Sequence, residues 1–210
     1  LDGLYSYYGK GKIPHFLHYE PKMKLKNKTE KRKFLLGDKS IIFGVVATRK
    51  TKMWPLQNYI QLAQLIQKKY PQYVIVIPLS KSRDDTTIIE ELLASDLPTN
   101  IVIVQWPLEE LVVAFSQSDL YIGNDTGLKH LSVSLGITSY TFFGPEPAKE
   151  WHPYDAQKHP YFYLDDLTCR TRTHHYCGLS TCDLADQKMQ CLTHFKAEDV
   201  FKEIENELSY

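Results

Sequence analysis

An α/β fold with a doubly wound parallel sheet is predicted by three features of this 210-residue sequence. Apolar runs of strand length alternate strictly with segments of helical spacing. The strand runs are continuous rather than alternating, as strands covered on both faces require. No apolar run approaches the ~18 residues of a membrane span, so these runs are read as core strands.

The elements follow in order from Ser40. Ile41 to Val46 is the first strand. Leu56 to Lys69 has helical spacing through Tyr59, Leu62, Ala63 and Ile66, with Pro55 suited to a first helical position. Tyr73 to Ile77 is a second strand. Asp84 or Asp85 would cap a helix carrying Ile88, Ile89, Leu92 and Leu93. Ile101 to Val104 is a third strand, and Leu108 to Gln117 a helix with Leu111, Val112 and Phe115 inward. Leu120 to Ile122 is a fourth strand, Thr126 to Leu135 a helix, and Thr138 to Phe143 a fifth strand. Glu198 to Leu208 is a closing amphipathic helix. No internal repeat is visible.

Residues 1–36 lack this periodicity and read as the remnant of a preceding domain plus a basic linker; residues 37–210 read as one domain. The chain starts at Leu1, which suits a fragment, a processed product or an ordered remnant, and its first residues have no signal-peptide pattern. Lys+Arg and Asp+Glu are both 25, so net charge gives no argument for nucleic acid, and no nucleic-acid partner is expected. The stretch Lys22 to Lys33 is locally basic. It reads as a solvated linker.

In doubly wound sheets ligands bind beyond the carboxyl ends of the strands, so the loops there are the candidate site. Ala47 to Pro55 holds a hydroxyl, three cations and a following helix, which suits a diphosphate; the other reading is a solvated basic loop with Trp54 and Pro55 seating the helix. Trp106 would be a stacking wall for a base or a core tryptophan at a strand end. Asp125-Thr126-Gly127-Leu128 is a strand–turn–helix junction that offers the backbone N–H groups of Thr126, Gly127 and Leu128 to an anion. Gly127 would permit close approach of a ligand. Asp125 would be a cap or a sugar-hydroxyl acceptor, and His130 lies one turn on. Gly144, in the turn Phe143 to Pro147, would lie near a ligand or shape the cleft rim, with Trp151, His152 and Pro153 packed behind.

Cys169, Cys177, Cys182 and Cys191 are spaced C-x7-C-x4-C-x8-C, and only the middle pair has the short spacing of zinc sites. Reduced thiols or one or two disulfides are expected, and no metal. Their clustering in one segment favours a cytoplasmic location over a disulfide-stapled secreted fold. No Gly-rich dinucleotide fingerprint, Walker sequence or serine nucleophile elbow is present.

Together these loops resemble glycosyltransferase family 9, the ADP-heptose:lipopolysaccharide heptosyltransferases. Thr48-Arg49-Lys50-Thr51-Lys52-Met53-Trp54-Pro55 resembles the family's Thr-Arg-x-x-Lys-x-Trp-Pro segment. Asn124-Asp125-Thr126-Gly127-Leu128-Lys129-His130 resembles its Asp-Ser/Thr-Gly-x-x-His motif, and Phe143-Gly144-Pro145 its Tyr/Phe-Gly-Pro segment. The similarity runs in order through residues 40–155, and a late cysteine cluster also occurs in part of the family.

The resemblance implies the C-terminal half of a GT-B-type enzyme, built of two Rossmann-like domains with the active site between them. By that likeness Thr48 and Lys52 would hold the donor diphosphate, with backbone donors from Thr126, Gly127 and Leu128. Asp125 would bind heptose hydroxyls, His130 would support the loop, and Trp106 would line the adenine pocket. Asp84 or Asp85 would fall near the ribose. The implied reaction is inverting transfer of heptose from ADP-heptose to a lipopolysaccharide core acceptor, without metal or other cofactor. The general base is expected in an N-terminal domain, so no catalytic residue is assigned here. A lipid-linked glycan acceptor and peripheral contact with the inner membrane are the implied partners. Two other readings stay open: a non-catalytic nucleotide-sugar-binding module that needs a partner chain, and a nucleotide-sugar epimerase on the same fold. Lys52→Ala and Asp125→Ala are each expected to weaken donor binding without unfolding the chain.

Overall fold

A computed structural model describes residues 22–23, 38–171, 177, 179–184 and 188–209. The proposed remnant and linker therefore lie outside the described residues, apart from Lys22 and Met23.

Six parallel strands form one sheet in the order β3-β2-β1-β4-β5-β6. They are β1 (Lys39–Gly44), β2 (Tyr73–Pro78), β3 (Ile101–Val104), β4 (Leu120–Asn124), β5 (Thr138–Phe143) and β6 (Tyr161–Tyr163). The helices are α1 (Leu56–Lys69), α2 (Arg83–Leu93), α3 (Leu108–Phe115), α4 (Gly127–Ser134), α5 (Ala148–Trp151), α6 (Gln190–Thr193) and α7 (Ala197–Leu208). Five strands match the apolar runs. The unanticipated β6 is three residues long and pairs with Thr141 to Phe143 of β5.

Strand alternation sorts the core into two layers. Ile41, Phe43, Ile75, Ile77, Leu120 and Ile122 point toward α1, α2 and α7, meeting Leu62, Ile66, Leu92, Val200 and Ile204. Ile42 and Tyr121 point the other way, against Phe115 of α3 and Leu128 and Leu131 of α4. Helices on both faces are what a doubly wound sheet requires.

Two helix starts differ from expectation. Ser82, not Asp84 or Asp85, caps α2, accepting a hydrogen bond from the Asp85 amide. A hydroxyl suits that position because it reaches the orphan amide three residues on. Pro55 precedes α1 as its cap residue. Among the described residues no helix is long and apolar enough to cross a membrane.

Candidate functional site at the strand-order reversal

The strand order reverses between β1 and β4, the place where the loops after neighbouring strands of a doubly wound sheet turn to opposite faces and a ligand crevice is expected. Gly44 and Gly123 pair in register beside it. A Cβ on Gly44 would sit 2.2 Å from the Tyr121 hydroxyl, and one on Gly123 2.4 Å. The two glycines therefore leave a slot for the Tyr121 ring, whose hydroxyl donates to the Asn124 carbonyl.

Asn124 ties the loop after β1 to the end of β4. Its buried amide donates to the Val45 carbonyl (2.8 Å) and accepts from the Trp54 backbone N–H (2.8 Å). Trp54 is buried, stacked on Phe142 at 4.2 Å, with its indole N–H donated to the Phe195 carbonyl. Trp54 thus seats the loop and α1 in the core.

That anchoring sets Lys52 opposite Asp125. Lys52 Nζ lies 3.4 Å from Asp125 Oδ2 and 3.8 Å from Glu146 Oε1. Glu146 also accepts from Arg49. On the other side Lys129 Nζ donates to Asp125 Oδ1 at 2.5 Å and to the Trp151 carbonyl at 2.8 Å. Five side chains therefore alternate in charge along the crevice: Lys129, Asp125, Lys52, Glu146, Arg49. Lys129 is 0% exposed, and burial pulls its ammonium below the usual lysine range while Asp125 pulls it back up.

Asp125 is therefore no helix cap. Thr126 takes the cap position of α4 in extended backbone, and no side chain caps the helix. Its hydroxyl is buried beside that of Tyr121 without a well-formed hydrogen bond. A Cβ on Gly127 would meet nothing within 4 Å, so open space faces the first turn of α4. Uncapped amides at a helix start beside a lysine suit an anion.

The remaining expected residues scatter. The Leu128 side chain packs into the core beneath α4. His130 Nδ1 bonds the Tyr154 hydroxyl behind the crevice; burial, and then Lys129, lower its pKa. Thr48 is exposed on the loop after β1. Trp106 is half-buried against Val76, Val104 and Ala114 at the β3 edge, three strands from β4. Asp85 accepts from the Ser80 amide at 2.6 Å, and Asp84 is exposed.

Gly144 faces protein rather than open space: a Cβ there would lie 2.9 Å from the Thr51 carbonyl. Its turn shapes the rim, because the close approach of two backbones leaves no room for a side chain. Of the residues expected behind it, only His152 is buried; Trp151 and Pro153 are exposed. Burial pushes the His152 pKa down to about 4, and its Nε2 bonds the His159 carbonyl.

Glu146 and Lys129 escaped the sequence reading. A lysine in a helix usually reaches solvent, and a glutamate between two prolines reads as a surface turn. The only available signal was the i,i+4 spacing of Asp125 and Lys129. Asp125 holds a buried ammonium, so Asp125→Ala is expected to cost stability as well as donor binding.

The four cysteines line one cavity of about 120 Å³ with Thr51, Tyr163 and Arg170. All four are free thiols, and burial raises Cys191 to about 11. Among the described residues no three His, Cys, Asp or Glu side chains are placed to hold a metal ion. His174 and His175, which neighbour the cysteines in sequence, lie outside the described residues.

The sheet order and the helices on both faces define a doubly wound, Rossmann-like domain, the fold class that forms each half of a GT-B glycosyltransferase. The chain belongs to glycosyltransferase family 9 (heptosyltransferase), whose sequence profile matches residues 11–178. Lipopolysaccharide heptosyltransferase 1 of Campylobacter coli is 31% identical over 122 residues, 57% of this chain and 36% of that protein. The E. coli ADP-heptose lps heptosyltransferase II superposes with a TM-score of 0.61 at 20% identity, over 82% of this chain and 47% of that one. TibC, an iron-containing dodecameric glycosyltransferase of enterotoxigenic E. coli, superposes with a TM-score of 0.61 at 13% identity, over 90% of this chain and 49% of that one. At such identities the superpositions show the fold alone. The chain spans only a third to a half of the length of these relatives.

Proposed function

We propose that this chain supplies the donor-binding domain of a heptosyltransferase that takes heptose from ADP-heptose to a lipopolysaccharide core acceptor. The observation that carries this reading is Lys52 paired with Asp125 just ahead of the uncapped first turn of α4, at the β1–β4 reversal. A diphosphate seated there would meet a lysine ammonium, the backbone N–H groups of Gly127 and Leu128, and the positive end of the helix dipole. Those groups stabilise the charge that develops on ADP as it leaves, so no divalent ion is required.

The β3 end of the crevice extends the argument. Strands spaced at ~4.8 Å put Trp106 roughly 14 Å from β4. That separation suits an extended nucleoside diphosphate with its base on the tryptophan. Thr48 and Arg49 would flank the phosphates, Asp125 would accept from sugar hydroxyls, and His130 would brace the turn through Tyr154. The acceptor site and the base that deprotonates the acceptor hydroxyl are assigned to a second domain outside residues 37–210. A cytoplasmic place, with the lipid-linked acceptor presented at the inner membrane face, follows from that role.

Calorimetric titration of the chain with ADP, GDP and UDP in EDTA tests the reading. Selective ADP binding is expected, weakened at least ~tenfold by Lys52→Ala with little change in melting temperature. Preference for UDP or GDP would overturn the donor assignment. Binding of none of the three would overturn the site.

A further inference from the structure

We propose that Lys129 is a positioning residue for the donor: it holds Oδ1 of Asp125, so that Oδ2 is presented to the crevice. This rests on the donor-site reading above and assigns a role to a residue that no motif marks.

The geometry separates Lys129 from an ordinary helix lysine. Such a side chain lays its stem along the surface and leaves its ammonium in water. Lys129 turns inward from the first turn of α4 and is 0% exposed. Four contacts surround its ammonium: Asp125 Oδ1 at 2.5 Å, the Trp151 carbonyl at 2.8 Å, and the faces of the Phe143 ring at 4.7 Å and the Tyr154 ring at 5.9 Å. Burying an ammonium is costly, and a packing role would be filled better by methionine or leucine.

The two cations on Asp125 differ in permanence. Lys52 is 15% exposed, sits at the longer distance of 3.4 Å, and is shared with Glu146. An arriving diphosphate competes for it. Lys129 lies behind the carboxylate, away from open space, and keeps its hold when Lys52 turns to the phosphates. Its charge then offsets a carboxylate that would otherwise repel the diphosphate, and its hydrogen bond keeps that carboxylate aimed at the donor sugar.

The test measures ADP and ADP-heptose affinities of the full chain, wild type against Lys129→Met, at a temperature where circular dichroism shows both folded. A loss of stability alone would weaken both ligands equally. The positioning role predicts unequal losses: roughly threefold for ADP and roughly thirtyfold for ADP-heptose, so the ratio between them falls ~tenfold. Should Lys129→Met not fold, Lys129→Gln keeps an amide donor without the charge, and its ratio is expected to fall ~threefold. An unchanged ratio in the variant that folds overturns the proposal. Wild-type chain that binds neither probe overturns the donor-site reading instead, and this inference with it.

Discussion

The two ends of the strand-end rim handle charge in opposite ways. Between β1 and β5, charged side chains are chained together across the crevice and largely buried; Asp125 is 6% exposed and Lys129 0%. Beyond β2 and β3, Asp85 bonds the Ser80 amide, Ser82 caps its own helix, and Gln105 donates to the Ser80 carbonyl, all at exposed positions. At the first end each carboxylate is needed by a buried or half-buried cation. At the second, each polar group has water as an alternative partner. The same residue type, aspartate, is therefore expected to matter to folding far more at the first end than at the second.

The largest expected effect breaks the network end. Asp125→Ala strands the Lys129 ammonium in the core and should cost about 3–5 kcal/mol of stability. Adding Lys129→Met removes the stranded charge and should recover most of that loss, read by urea denaturation. A double variant no more stable than Asp125→Ala would show that the cost comes from lost packing rather than from charge.

The sequence distances of these contacts explain what was legible. The fold could be read because each strand and helix announces itself through apolar spacing within a dozen residues. Strand β6 did not, since three aromatic residues between irregular segments carry no period. At the site, the turn Asp125 to Leu128 is local and was found. Lys52 pairs with Asp125 across 73 residues, and Arg49 with Glu146 across 97. Partners so far apart meet only after the sheet has set its strand order. Asp125 and Lys129 are neighbours in sequence, yet nothing local says that the lysine turns inward; the cover supplied by Phe143 and Trp151 decides that.

A change of pH probes the buried end without mutation. His152 titrates at about 4 in the folded chain against 6.5 for a free histidine, because burial disfavours its charged form. The unfolded chain therefore binds a proton that the folded chain refuses between those values. Stability should be complete above pH 6.5 and fall as pH drops toward 4, by up to ~3 kcal/mol from this group. His130, also lowered by burial, pulls in the same direction. Denaturation midpoints at pH 7.5 and pH 5 check the sign. A midpoint that stays level, or rises on acidification, would show that these imidazoles accept protons in the folded state.

The smallest expected effect on folding falls at the other end and separates a cap from a ligand. Asp85→Ala removes a carboxylate that accepts from the exposed Ser80 amide at 2.6 Å, and water can replace that bond. The loss of stability should not exceed about 1 kcal/mol. Asp84→Ala, at an exposed side chain, should change it by less than ~0.5 kcal/mol. Donor affinity gives the sharper reading, because either carboxylate could meet the ribose of a nucleotide whose base rests on Trp106. Asp85 is already engaged with the loop after β2, so its loss would disturb that loop as well as any ribose contact. Asp84 has no such task, and weaker ADP binding by Asp84→Ala alone would assign it the ribose directly. Unchanged ADP affinity in both variants would confine the donor to the β1–β4 end, and the contrast between the two ends would then be one of function as well as of charge.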